Sequence, residues 1–251
     1  MRILFFGDVV GKSGRQAIQK YLKKLRDELS ADVVVVNGEN SAGGLGINRK
    51  SIEELLDAGA NVITTGNHAF HWKEWKEVFD NYPMVLFPAN YPGLLERSHY
   101  TTSSGLTVMN IQGRVFMECI DNPFLAADRL LEVVPKDTFK LVDFHAEATS
   151  EKLAMGYYLD GRVHAVVGTH THIQTADERL LPNGTLYITD VGMTGPYDDS
   201  ILGMHKDAVI SKFLNNRPAR YEVASGRCTV NAVLIEINKE NRDIKRLSFI
   251  E

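Results

Sequence analysis

The sequence predicts a single α/β domain, spanning residues 1–251, that contains two β-sheets. Continuous apolar runs at residues 3–6, 33–36 and 62–65 indicate buried strands, and two segments of helical periodicity separate them. This β-α-β-α-β order implies parallel strands joined by right-handed crossovers. Between residues 84 and 118, short β-like segments separated by Gly and Pro indicate a second sheet.

The individual elements follow from periodicity and from turn residues. A helix over residues 14–29 is predicted by four apolar residues at helical spacing, which are Ile18, Leu22, Leu25 and Leu29. Ser51 followed by Glu54 resembles a capping box at the start of the second helix. Helices are also expected at residues 125–133 and 147–159, and a long loop is expected at residues 192–203. Further strands are expected at residues 84–87, 99–102, 107–111, 114–117, 139–144, 163–167, 186–189 and 229–237.

The composition is that of an ordinary globular protein, with 44% hydrophobic and 24% charged residues. The net charge of -4 excludes a strong global attraction to nucleic acid or to anionic membranes. Cys119 and Cys228 lack metal-type spacing; they allow one disulfide, but we expect two reduced thiols. The chain shows no signal peptide and no apolar run near the ~20 residues of a membrane helix, and we therefore expect a cytoplasmic protein.

Polar residues of metal-binding types follow five of the apolar runs. In open α/β sheets ligands bind beyond the carboxyl ends of the strands, so residues far apart in sequence would meet at one edge. His170 and His172 alternate along an extended segment, so both rings can reach one centre. The residues at the five strand ends are Asp8, then Glu39 and Asn40, then Asn67 and His68, then His145, and finally His170 and His172.

Each of these residues alone has an ordinary structural explanation. Asp8 would commonly cap a helix, Asn67 would stabilise a turn, and a lone His145 would be a hydrogen-bonded histidine. Their recurrence at successive strand ends favours one functional site.

The chemistry of the set fits two metal ions. Carboxylate, amide oxygen and imidazole without thiolate suit Mn, Fe, Zn or similar divalent ions. Two carboxylates and three histidines are too many for one catalytic metal with an open position, but they are enough for two. Such a pair, ~3.5–4 Å apart, binds the attacking and the leaving oxygens of a phosphoryl displacement and supplies hydroxide near neutral pH. Glu39 is the natural bridge, because its carboxylate can offer one oxygen to each ion.

The motifs resemble those of a known enzyme superfamily, the calcineurin-like metallophosphoesterases. The similarity lies in Gly7-Asp8, Gly66-Asn67-His68, His145 and the segment Gly168-Thr169-His170-Thr171-His172. The departures from that pattern are Val9-Val10 in place of the first histidine, the block Gly38-Glu39-Asn40, Ala69 where an acid is usual, and the inserted Thr169. These departures are similar to one bacterial subgroup, the YmdB-like phosphodiesterases, over essentially the whole chain.

The resemblance implies a two-sheet sandwich flanked by helices, the four-layer αββα fold. It also implies two divalent or mixed-valence metal ions per chain, typically iron, with manganese or zinc as alternatives. By this resemblance Asp8, Glu39, Asn40 and His172 would hold metal one, and Glu39, Asn67, His145 and His170 would hold metal two.

Activity and partners are implied in the same way. The expected substrate is a small cyclic nucleotide such as 2′,3′-cyclic AMP, no membrane or nucleic-acid partner is expected, and some members of the group form oligomers. A hydroxide that bridges the metals would attack phosphorus in line. His68, next to a ligand but not a ligand itself, would be the general acid that protonates the departing ribose oxygen.

Three alternatives account for parts of the sequence. Gly7–Ser13 ends in Gly-Lys-Ser like a phosphate-binding loop, but only Asp8, Val9 and Val10 separate the two glycines, where that motif requires four residues. A non-enzymatic regulatory protein could keep a metal site. A phosphomonoesterase or a nuclease could use the same ligands, although the basic residues form no clustered track.

His71 is expected in the substrate pocket or on the surface, and His99, His164 and His205 are expected to be structural or exposed.

Overall fold

The computed structural model describes residues 1–238 and 241–251. Its α-helices are α1 (Gly11–Glu28), α2 (Arg49–Asp57), α3 (Trp75–Asn81), α4 (Pro123–Val133), α5 (Thr149–Tyr158) and α6 (Lys206–Asn215), with a short 3₁₀ turn at Leu95–Arg97. Its strands are β1 (Arg2–Phe6), β2 (Asp8–Val9), β3 (Val33–Asn37), β4 (Val62–Thr64), β5 (Val85–Leu86), β6 (His99–Thr101), β7 (Leu106–Gln112), β8 (Phe139–His145), β9 (Ala165–Thr169), β10 (Arg179–Leu180), β11 (Leu186–Ile188), β12 (Met193–Pro196), β13 (Ser200–Ile201), β14 (Met204–His205), β15 (Cys228–Ile237) and β16 (Arg242–Ile250).

The first sheet has the strand order β2-β12-β15-β1-β3-β4-β5, and β16 pairs with β15. Strands β1, β3 and β4 run parallel, as the β-α-β-α-β order predicts, and β5 lies parallel to β4. Strand β15 lies antiparallel beside β1 and closes the other half of the sheet.

The second sheet has the order β10-β11-β9-β8-β7-β6. Its four central strands, β11, β9, β8 and β7, are parallel to one another. The carboxyl ends of β8 and β9 therefore lie at the same edge of this sheet.

Strand periodicity divides the core into layers. Ile3 and Phe5 point between the sheets, where they meet Val167 from the second sheet. Leu4 and Phe6 point to the opposite face, which α1, α2 and α3 cover. Helices α4 and α5 cover the outer face of the second sheet. The result is the four-layer αββα sandwich that the resemblance implied, and the expected fold class is confirmed.

Several local predictions need correction. The capping box of α2 is real but displaced: Asn48 is the N-cap and accepts from the Ser51 backbone N–H at 3.0 Å, so Ser51 is the third helical residue. Glu54 instead accepts from the Arg15 Nε at 2.5 Å. The expected strand at residues 114–117 is a turn, and residues 84–87 contribute β5 to the first sheet rather than to the second.

The segment 192–203 is not the predicted loop. It contains β12, which is buried between β2 and β15, and β13, which pairs with β14. Helices α3 and α6 and strand β16 were not predicted. In the described ranges both cysteines are unpaired, and no helix is long and apolar enough to cross a membrane.

Candidate metal centre

The structure brings the eight predicted site residues together at one edge of the sandwich. Strands of both sheets end there, so donors separated by more than a hundred positions become neighbours. The His145 ring lies at the centre, with its Nδ1 3.7 Å from Asp8 Oδ1 and its Nε2 3.9 Å from Glu39 Oε1. His172 Nε2 is 4.0 Å from the same Asp8 oxygen. We call these eight residues the central cluster: Asp8, Glu39, Asn40, Asn67, His68, His145, His170 and His172.

A first group of donors forms around His172. Its Nδ1 lies 2.9 Å from the Leu202 carbonyl, which can only accept, so Nδ1 carries the proton and Nε2 carries a lone pair. Asn40 donates its Nδ2 to the Gly44 carbonyl at 3.0 Å, which turns Oδ1 inward. His172 Nε2 and Asn40 Oδ1 then face each other at 3.2 Å with no proton between them. A cation between or beside these two acceptors would bind both of them.

A second group forms around His145. The Thr169 hydroxyl donates to Asp143 Oδ1 at 2.7 Å and therefore accepts from His145 Nδ1 at 3.0 Å. This leaves a lone pair on His145 Nε2, which faces Asn67 Oδ1 at 3.1 Å. His170 Nδ1 also approaches that nitrogen, at 3.1 Å.

Glu147 orients the third donor of this group. Its Oε2 lies 3.0 Å from His170 Nε2, so Nε2 carries the proton and Nδ1 turns its lone pair inward. Donors bound at ~2.0–2.1 Å to one ion would lie about 3 Å apart, and these distances match that spacing.

The two carboxylates of the cluster are fully buried. Glu39 accepts the backbone N–H groups of Gly66 and His68. Asp8 Oδ2 accepts from the His170 backbone N–H at 3.0 Å, while Asp8 Oδ1 has no hydrogen-bond partner in the described part of the chain. A buried carboxylate oxygen without a partner is costly, and a metal ion would satisfy it.

Electrostatics support a cationic occupant. Burial, and then the nearby Asp190, raise the pKa of Asp8 to about 7, and burial raises the pKa of Glu39 well above its usual range. Burial lowers the pKa of His145 and of His172, which favours the neutral form of both rings. Neutral imidazoles and buried carboxylates together fit a positive ion.

The amide oxygens are essential to this fit. In the described ranges, no three His, Cys, Asp or Glu side chains by themselves form a metal-binding arrangement. The donor groups become complete only with Asn40 and Asn67, whose oxygens lie against His172 and His145.

Two buried carboxylates that the sequence analysis does not single out, Asp143 and Asp190, form hydrogen bonds that hold residues of the central cluster in place. Asp143 accepts from Thr64 at 2.5 Å and from Asn37 at 2.9 Å, in addition to Thr169. Asp190 forms a buried ion pair with Lys152 at 2.6 Å. Asp190 also accepts from the backbone of the His170–His172 segment, through Thr171 N–H at 3.0 Å.

The cluster opens into a cleft of about 300 Å³. His68 and Glu147 line the cleft. Leu202, which belongs to the segment 192–203, forms part of one wall. His71 is exposed beside Trp72 and does not line the cleft. Of its two expected positions, the substrate pocket and the surface, it therefore occupies the surface. His99 and His164 are half-buried with backbone partners and His205 is exposed, as expected.

The fold and this arrangement of strand ends define the α/β sandwich class of the metallophosphoesterases. A family model described as "YmdB-like protein" matches residues 4–250. A 2′,3′-cyclic-nucleotide 2′-phosphodiesterase of Bacillus subtilis is 48% identical over 255 residues, which covers 100% of this chain and 96% of the relative. The chain therefore belongs to the family of YmdB-like proteins.

Two solved structures agree with this assignment. A hypothetical protein from Thermus thermophilus is 41% identical with a TM-score of 0.94, and 100% of each chain is covered. A novel phosphatase of Mycoplasma pneumoniae is 33% identical with a TM-score of 0.89, and the match covers 100% of this chain and 93% of that one.

Proposed function

We propose that this chain is a metal-dependent phosphoric diester hydrolase that acts on 2′,3′-cyclic nucleotides. The observation that carries the proposal is the pair of donor groups in which unprotonated acceptors face each other at 3.1–3.2 Å. The relative that is 48% identical is named for the same reaction. Neither an ordinary structural site nor a phosphate-binding loop requires acceptors to converge in this way.

Two metal ions would be held by the two donor groups. Asp8, Asn40 and His172 would hold one ion, Asn67, His145 and His170 the other, and Glu39 would serve both. When bound, the ions would polarise the phosphoryl oxygens and lower the pKa of the attacking water. Iron is the metal that we propose from the family resemblance, and manganese or zinc suits the same donors.

The protein itself fixes the donors before a metal binds. Glu39 is held by two backbone N–H groups on the loop that carries Asn67. Glu147 and Leu202 hold the outer nitrogens of His170 and His172. Such outer partners set the tautomer and direction of each ring, which favours rapid and specific metal binding.

His68 would protonate the leaving oxygen. It lines the cleft, and its Nε2 lies 3.3 Å from the Asn67 amide nitrogen, so the ring stands beside the second donor group. Burial lowers the pKa of His68, while the carboxylate of Glu118 raises it. A lowered pKa makes the protonated ring a stronger acid toward the ribose oxygen, although a smaller fraction is protonated at neutral pH.

Metal analysis by ICP-MS, combined with turnover of 2′,3′-cyclic AMP on the same sample, tests the proposal. We expect about two metals per chain, and we expect Glu39→Ala to lose both metal and turnover. Glu132→Ala, an exposed residue of α4, is the matched control and should keep both. Absence of metal and of turnover after Mn or Fe is supplied would refute the proposal. Faster hydrolysis of a phosphomonoester than of the cyclic diester would assign the site to a phosphomonoesterase.

A further inference from the structure

A second cavity of about 320 Å³ adjoins the catalytic cleft. The two spaces share His172 and Leu202 as a common wall. The second space therefore begins directly beside His172, within reach of a molecule whose phosphate lies at the central cluster. The cavity is built mainly from β12, from β15, with which β12 pairs, and from the segment after His172.

The floor of the cavity carries an unsatisfied carboxamide. Thr229 and Asn231 alternate along β15 and share one face, and Ser248 of β16 lies opposite Asn231 in register. Asn231 is only 6% exposed, yet its Oδ1 has no hydrogen-bond partner in residues 1–238 and 241–251. A buried amide oxygen without a partner points to a ligand that donates to it.

The backbone leaves room for this carboxamide. Gly192 has φ +81°, and a Cβ at that position would lie 2.8 Å from Asn231 Nδ2. Gln174 lines the same cavity and donates its Nε2 to the carbonyls of Val191 and Ala232, each at 3.1 Å. With Nε2 committed in this way, the Gln174 side chain can offer only its oxygen to a ligand.

The rim of the cavity is apolar and exposed. Tyr197 is 50% exposed, and its ring stacks on no other aromatic ring among the described residues. Ile173 and Leu202 flank the opening, at 60% and 44% exposure. A free aromatic face that lines the same cavity as two carboxamide groups suits a flat heterocycle that stacks and hydrogen-bonds at its edge.

We propose that this cavity is a base subsite, which holds the nucleobase of a nucleotide whose phosphate occupies the central cleft. The inference rests on the proposed function, because that function places the phosphate beside His172. Tyr197 stacks on the base, and Asn231 binds its hydrogen-bonding edge. The subsite makes the protein selective for nucleotide esters over cyclic phosphodiesters that lack a base.

The test compares 2′,3′-cyclic AMP with glycerol 1,2-cyclic phosphate, which has the same five-membered cyclic ester without a base. Loss of base stacking in Tyr197→Ala should lower the ratio of the two kcat/KM values by about 5–150-fold. Asn231→Leu should lower the same ratio by a comparable factor. Tyr157→Ala, at an exposed tyrosine of α5, is the control and should leave the ratio unchanged.

An unchanged ratio in both Tyr197→Ala and Asn231→Leu would overturn the base subsite. If the metal-loaded wild type hydrolyses neither ester, the proposed function fails, and titration with adenosine then decides the subsite independently. Saturable adenosine binding that is weakened in Tyr197→Ala supports the subsite, whereas absence of binding in the wild type overturns it. Tyr197 is half-exposed, so this variant is expected to fold even if the buried Asn231 variant does not.

Discussion

Replacement of Thr169 by valine tests how the protein selects the metal-binding form of His145. The Thr169 hydroxyl accepts from His145 Nδ1 at 3.0 Å and donates to Asp143 Oδ1 at 2.7 Å. It also accepts from Asn37 Nδ2 at 3.2 Å. Valine keeps the shape of the side chain and removes these hydrogen bonds.

Each hydrogen-bond partner of Thr169 responds differently to this replacement. Asn37 and Asp143 keep each other at 2.9 Å, so neither becomes fully unpaired. His145 Nδ1 loses its acceptor, and an unsatisfied buried donor costs about 1–3 kcal/mol of unfolding free energy. The ring can avoid that cost by moving its proton to Nε2, which lies 3.1 Å from Asn67 Oδ1. The proton then occupies the position that a metal needs, and we expect metal affinity to fall about 10–100-fold.

Competition with a chromophoric chelator measures this loss, and thermal melting of the metal-free protein measures stability. Thr185→Val is the matched control, because Thr185 is equally buried and donates to the Val163 carbonyl at 2.7 Å, away from the central cluster. It should lose a similar stability and keep the affinity for metal. If both variants bind metal equally well, the hydroxyl of Thr169 does not control the tautomer of His145.

Three further predictions concern the same site. His68→Ala should keep its metal content and lose about 10²–10⁴-fold in turnover; full activity would exclude His68 as the general acid. Because burial holds the pKa of Asp8 at about 7, above its ordinary value of 3.8, metal must displace a proton there at lower pH. Affinity should therefore fall at least tenfold per pH unit below that pKa, because Glu39, whose pKa burial also raises, must lose its proton as well. Calorimetry in buffers of different ionisation enthalpy checks this, and binding without proton release would contradict it. Gly66→Ala should displace the His145 ring, against which the new Cβ would press, and ICP-MS should show loss of metal from the second donor group.

The sequence predicts the buried strands well, because strands covered on both faces are continuous apolar runs. The sequence predicts less well which strands pair with one another. The short apolar run at residues 84–87, for example, carries no signal that assigns it to one of the two sheets. The segment 192–203 resembles a loop in the sequence because it is rich in glycine. Gly195 is instead needed within β12, where a Cβ would lie 2.8 Å from the Val10 Cβ.

The donors of the central cluster were predictable for a topological reason, since parallel strands deliver their carboxyl ends to one edge. The residues that hold these donors in place were not predictable. Lys152 and Asp190 come from a helix and a distant turn, and only the folded chain places them 2.6 Å apart. Asp143 lies within an apolar run, where a single acid resembles a surface position, although both faces of β8 are buried. Thr169 was visible only as an insertion before the histidine pair, without a signal for its role.

The outer hydrogen bonds of the cluster have a thermodynamic consequence. They hold neutral rings and amide oxygens against one another, and burial keeps the pKa values of Asp8 and Glu39 high. In the metal-free protein these raised values make both carboxyls a source of instability once pH exceeds the ordinary carboxyl range, because the unfolded chain ionises them more easily. A metal that binds only the folded state stabilises it by RT ln(1 + [M]/Kd), about 2.7 kcal/mol at a concentration 100 times Kd, and the Kd at each pH includes the displacement of these protons. The gain in stability on metal loading should consequently increase as pH rises toward 7, the direction in which the carboxyls ionise.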